Sequence, residues 1–282
     1  MIEAERQGAL DAIGTEVAVC TRCRLHETRT KSVPGEGSPA TEVVFVGEGP
    51  GLNEDRQGRP FVGQAGALLT DLLASIGWTR EEVFITNVVK CRPPGNRDPE
   101  PDEITACAPF LARQLEALDP ALVVTLGRFS MARFNPGARI GQVHGTFQRA
   151  DPASGAPRAL TFAMYHPAAA LHQGSLKATL FRDMEAVPVA LLQAREQGAA
   201  GSAFPGQEPA LIEAQVEAAT PQVEAATPPI EASTEDVSTN SVEAQPAGPA
   251  GLEAETIVQS AVGAQSIELT SQSDPTDQLT LF

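Results

Sequence analysis

No lysine or arginine follows Arg195. The last 84 residues carry 13 acidic side chains and no basic one, so the formal charge of −16 divides into −3 up to about residue 197 and −13 beyond it. The acidic balance thus belongs to a tail. It excludes no polyanionic partner for the rest, whose 17 Arg and 3 Lys can form a basic face. The same tail has almost no aromatics, only Phe204 and Phe282. It is built of Ala, Glu, Pro, Thr, Ser and Gln, with a tandem "QVEAATPQVEAATP" at 215–228. Such a segment buries too little apolar surface to offset its ordering entropy, and disorder is expected over 198–277. Also absent is any apolar run near the ~18 residues of a membrane span. The start, "MIEAERQGALDAIG", lacks the basic-then-apolar order of an export signal. A cytoplasmic monomer with no membrane partner is expected.

Residues 1–197 are enough for one α/β domain. Apolar runs alternate with segments of helical period. Strands are expected at 42–47, 83–89, 121–127 and 159–165. Helices are expected at 65–77, 101–119 and 175–196, the last kinked at Pro188, with a hairpin over 141–162. The alternation predicts a doubly wound, mostly parallel sheet flanked by helices. Ligands of such folds sit at the carboxyl ends of the strands, where loops 47–63, 90–100 and 166–174 fall.

The first loop reads "GEGPGLNEDRQGRPFVG" from Gly47 to Gly63. A glycine-rich turn after a strand suggests a phosphate cradle. Glu48, Glu54 and Asp55 would repel phosphate, however, and call for another occupant. The cysteines number four: Cys20 and Cys23 in "CTRC", then Cys91 and Cys107. Four buried thiols can be plain packing. Flanking Arg22 and Arg24 and the Pro-Pro-Gly loop after Cys91 point instead to a metal site. Four is the ligand count of both tetrahedral zinc and a four-iron cluster, and the spacing does not separate the two. A thioredoxin-like redox pair is the weakest reading.

"GEGPG", "GRPFVG", "ITNVVKCRPPGNR" and "HPAAALH" follow one another in this order, with the cysteines before and among them. The set resembles the family 4 uracil-DNA glycosylases over about Val17 to Gln193. The last motif differs from the usual "HPAALLR" at Ala170 and His172. The resemblance implies a [4Fe-4S] cluster on Cys20, Cys23, Cys91 and Cys107. It also implies a base-excision enzyme that hydrolyses the N-glycosidic bond of uracil in DNA and leaves an abasic site. No lysine nucleophile for lyase chemistry is evident.

A base flipped out of DNA needs a snug pocket with an aromatic face and groups matched to its edge. Phe61 is the stacking candidate. Asn87, ending a strand, offers a donor and an acceptor that match uracil O4 and N3–H and mismatch cytosine. His166 is placed to donate to uracil O2 as negative charge develops there. Gly49, Pro50 and Gly51 allow close approach of the base. Glu48, Glu54 or Asn96 would orient water and stabilise the cationic sugar. Arg22, Arg24, Arg29, Lys31, Arg92 and Arg97 would hold the DNA backbone. The alternatives are a non-catalytic iron–sulfur DNA-binding or polymerase-associated module, which needs no pocket, and a sister glycosylase of broader base tolerance. The pentapeptide "QLTLF", Gln278–Phe282, resembles the motif by which bacterial repair proteins dock on the β sliding clamp.

Overall fold

The computed structural model describes residues 1–200. Of the expected tail only the first three residues are described, as the end of a helix. Residues 201–282, the docking pentapeptide included, lie outside the described residues.

Four parallel strands form the middle of the sheet: β2 (Val43–Gly47), β3 (Phe84–Asn87), β4 (Leu122–Leu126) and β6 (Leu160–Met164). Short antiparallel strands close its edges, β1 (Glu36–Gly37) on β3 and β5 (Phe147–Arg149) on β6, giving the order β1-β3-β2-β4-β6-β5. Every residue of the four central strands is buried. This is the signature of a parallel sheet covered on both faces, and the reason those stretches read as unbroken apolar runs.

Alternate side chains build two cores. Phe45, Ile85, Val124 and Phe162 pack under α3 (Gln64–Ser75), α8 (Ser175–Glu185) and α9 (Val187–Ala200). Val44, Val46, Phe84 and Val123 face α1 (Glu3–Ala18) and α4 (Pro101–Leu118). The cysteines lie at one end of this second layer. Chain order reverses at β2, between its neighbours β3 and β4, so the carboxyl ends of these strands open a crevice at a topological switch point.

Four expectations shift. The hairpin expected over 141–162 begins only at β5, because its first residues belong to α6 (Ile140–Val143), which follows α5 (Arg128–Phe134). The 166–174 segment is largely helical, as α7 (Pro167–His172), because Pro167 suits a first turn and His166 caps it. The strand expected over 83–89 ends at Asn87, although Val88 and Val89 still donate to the carbonyls of Gly47 and Glu48 at 3.0 and 3.1 Å. Pro188 kinks nothing: the chain breaks at Ala186, and Pro188 stands in the first turn of a new helix, where its missing N–H costs no bond.

Candidate active site

β2, β3 and β6 each deliver one functional side chain to the crevice at or just after their last residue: Glu48, Asn87 and His166. The loop between β2 and α3, which carries α2 (Leu52–Gln57), adds Gly49, Pro50, Gly51, Glu54 and Phe61. With Asn96 at the mouth, these residues line one cavity of about 260 Å³, completed by Ala65, Pro93, Arg97 and Ala168. The structure therefore brings together every pocket residue named from the sequence.

Asn87 is 1 % exposed, and its Oδ1 is buried without a hydrogen-bond partner. A buried amide oxygen left unpaired costs about 1–3 kcal/mol, which a ligand N–H would recover. The neighbouring Gly47 has to be glycine: a Cβ there would lie 2.4 Å from that oxygen and 2.6 Å from Phe61 Cζ. Phe61 itself has a left-handed backbone, φ 52°. That conformation is strained for an aromatic residue, and two neighbours hold it. Arg80 donates to the Phe61 carbonyl at 3.1 Å and to the Pro60 carbonyl at 2.7 Å, while pairing with Glu36 at 2.8 Å. Gly66, in the first turns of α3, lets that carbonyl pass where a Cβ would be 1.9 Å away. Gly47, Gly66 and Arg80 were not singled out by sequence reasoning. The two glycines had a faint signal, at a strand end and inside a helix; Arg80 had none.

His166 stacks beside Phe61, with ring centroids 5.7 Å apart and planes at 27°. Its Nδ1 accepts from the Ala168 N–H at 3.1 Å, which assigns the ring proton to Nε2. Desolvation pushes the imidazole down to about 4, against the pull of the Glu54 carboxylate. The side chain is thus a neutral donor near pH 7.

The two carboxylates differ. Glu54 Oε1 accepts from the amides of Val62 and Gly63, both at 2.8 Å, and its Oε2 from Gly51 at 3.1 Å. It fastens the glycine turn to the Phe61 segment. The Glu48 carboxylate accepts no hydrogen bond among the described residues. Burial, then the nearby Asp98 carboxylate, pushes it up to about 7, with Arg128 opposing. Asp98 and Arg128 form an exposed ion pair. Asn96 is exposed, and its Oδ1 accepts from Arg92 Nε at 2.7 Å.

All four cysteines line a second, smaller pocket with Val17, Arg22, Arg29 and Phe110. None is in a disulfide. Cys91 Sγ accepts from Arg29 at 3.1 Å and Cys107 Sγ from the Lys90 amide at 3.2 Å. Burial raises the Cys23 and Cys91 thiols and pushes Cys107 up to about 11. Among the described residues, no three His, Cys, Asp or Glu side chains are grouped closely enough to hold a metal ion.

The arginines expected to hold DNA are largely engaged within the protein. Arg24 pairs with Asp102 and Glu100, Arg97 forks onto the buried Glu103, and Arg22 lies 4.0 Å over the Phe110 ring. Charge neutralisation by the acids around α4 is the physical reason that a count of arginines overstates this basic face. On α7, Ala170 is buried and Leu171 is exposed. No helix among the described residues is long and apolar enough to cross a membrane.

Three curated proteins named type-4 uracil-DNA glycosylase are similar to this chain. That of Saccharolobus solfataricus is 48 % identical over 188 residues, covering 64 % of this chain and 86 % of its own. That of Archaeoglobus fulgidus is 48 % identical over 174 residues, covering 60 % and 86 %. That of Sulfurisphaera tokodaii is 46 % identical over 185 residues, covering 64 % and 83 %. The switch-point pocket lies inside the stretch shared with a known family: residues 34–186, more than half of the chain, match the uracil DNA glycosylase superfamily, and the chain belongs to it.

Proposed function

We propose that this chain is a monofunctional uracil-DNA glycosylase of base-excision repair: it hydrolyses the N-glycosidic bond of deoxyuridine in DNA, releasing uracil and leaving an abasic site. The observation that carries the reading is Asn87, buried with its Oδ1 unpartnered, in the lining of a cavity shared with Phe61 and His166. Uracil N3–H would satisfy that oxygen, and uracil O4 would accept from the other end of the amide. Cytosine would set acceptor against acceptor and donor against donor. Leaving such groups unpaired supports discrimination of roughly 10⁴.

Phe61 offers the apolar face on which the flipped base rests. His166 Nε2–H donates to uracil O2 as the C1′–N1 bond breaks and its electron pair passes into the ring. Because the imidazole is already neutral, it donates a hydrogen bond without surrendering a proton, a stabilisation of about 3–4 kcal/mol for one such donor. Water attacks C1′ of the cationic sugar. Glu48, close to half ionised at neutral pH, takes its proton. Glu54 holds the turn, since three amides already occupy its carboxylate. Asn96 sits at the mouth, and Leu171, exposed on α7, is an apolar side chain to fill the gap left in the base stack.

We also propose a [4Fe-4S] cluster on Cys20, Cys23, Cys91 and Cys107. The convergence of four thiols on one pocket supports it, as do the N–H donors aimed at two of the sulfurs. Bound there, the cluster would cross-link the 20–23 segment, the Cys91 loop and α4. No step of the reaction requires it.

Beyond DNA, Gln278–Phe282 is proposed to dock on a β sliding clamp, for a protein acting as a cytoplasmic monomer. A peptide of the last ten residues should bind the clamp at roughly micromolar strength, the scale of a short docking motif. A flat calorimetric titration removes that proposal alone. The enzyme is tested with a single-uracil oligonucleotide, which should become alkali-labile at that position without magnesium. Strand integrity equal to the buffer control overturns the reading.

A further inference from the structure

Lys90 is 1 % exposed, and the chemistry described above makes no use of it. Among the described residues its amine faces no carboxylate. Nζ donates to Thr86 Oγ1 at 2.6 Å, to Gln114 Oε1 at 2.6 Å and to the backbone carbonyl of Asn87 at 2.8 Å. All three partners are neutral oxygens. Thr86 Oγ1 donates in turn to the Pro34 carbonyl at 2.8 Å, and Gln114 Nε2 donates to the same oxygen at 2.8 Å. The main chain of Lys90 is fixed as firmly, with its N–H on Cys107 Sγ at 3.2 Å and its carbonyl accepting from Val33 at 2.8 Å. Burying a lysine on neutral partners is costly, and a methionine would fill the same volume without that cost.

What the arrangement achieves lies at Asn87. That side chain has no hydrogen bond of its own to set its direction, and the strand ends with it. The direction of its amide follows from packing against Gly47 and from its own backbone, and the carbonyl at that point is held by Lys90. We propose that Lys90 is a positioning residue for base recognition: through the Asn87 carbonyl it aims the Asn87 amide into the pocket, and it anchors that aim to α4 and the cysteine layer. This rests on Asn87 reading uracil.

The test is a double-mutant cycle on the full chain, Lys90→Met against Asn87→Ala. It is read by single-turnover uracil excision and by binding of free uracil, with circular dichroism confirming the fold. Lys90→Met should slow excision by about 10–100-fold, the scale of a recognition group displaced by about an ångström, and should weaken uracil binding. In the Asn87→Ala background the same substitution should change neither by more than about twofold, because its effect passes through the missing amide. Equal fold losses in both backgrounds would mean a purely structural lysine and overturn the proposal. If Lys90→Met does not fold, Thr86→Val removes one of the three anchors at constant shape, and the same non-additivity is required of it. Asn87→Ala excising at the wild-type rate would bring down the reading of Asn87 first, and this inference with it.

Discussion

Glu54→Gln separates a carboxylate that holds the turn from one that does chemistry. In the native site Oε1 takes two amide protons and Oε2 one, at 2.8, 2.8 and 3.1 Å. Hydrogen bonds to a charged group contribute about 1.5–3 kcal/mol each, roughly twice the neutral kind. The glutamine carbonyl can keep Val62 and Gly63 as weaker neutral bonds, but its NH₂ then points at the Gly51 N–H, donor against donor. With part of the site open to water, the net loss is about 2–4 kcal/mol. For a domain of this size each kcal/mol lowers Tm by about 2–4 °C, so calorimetry should show a fall of roughly 5–15 °C. Single-turnover excision should drop only about tenfold, from a loosened Phe61 segment. Were Glu54 the residue that activates water, the outcome would reverse, with an unshifted midpoint and a rate loss of about 10³ or more. That pair of results would refute the reasoning.

The pH profile tests the other carboxylate. Glu48, pushed up to about 7, acts as a base only when ionised, so log rate should fall by about one unit per pH unit below 7. Glu48→Gln should abolish that limb, and a flat wild-type profile from pH 5 to 8 would argue against Glu48. His166, held near 4 by desolvation, contributes no limb in that range. His166→Ala should cost about 10²–10³ in the chemical rate and little in DNA affinity, as single-turnover kinetics and fluorescence anisotropy will show. Anaerobically purified protein should carry iron and sulfide at about four each per chain, and Cys91→Ser should lower both, together with folded yield. Stoichiometric zinc in their place would dismiss the cluster.

Much of the site was legible in the sequence for a simple reason. In a parallel sheet the strands are buried on both faces, so "EVVFV" and "ALVVTL" announce themselves as unbroken apolar runs. Whatever polar residue ends such a run stands at the rim where ligands bind. Glu48, Asn87 and His166 follow from that rule, and the resemblance supplied their roles. The helix over 167–172 was less legible: a short Ala-rich segment after His-Pro has no periodicity long enough to register.

What only the tertiary structure decided are the partners, because hydrogen bonds and ion pairs join residues far apart in the chain. Glu54 and Glu48 look alike in the sequence. They part only when the amides of Val62 and Gly63 fold back onto one of them and Asp98 arrives beside the other. Arg24 and Arg97 promise a basic face until α4 brings Asp102 and Glu103 to meet them. The left-handed turn at Phe61 depends on a guanidinium 19 positions later and on a helix with a glycine where the carbonyl must pass. The buried Lys90 becomes meaningful only once β3, α4 and the cysteine layer are packed around it. Local pattern determines which residues are buried and where strands end. Which buried polar atom faces which other is a long-range fact, and at this site it decides the division of chemical roles.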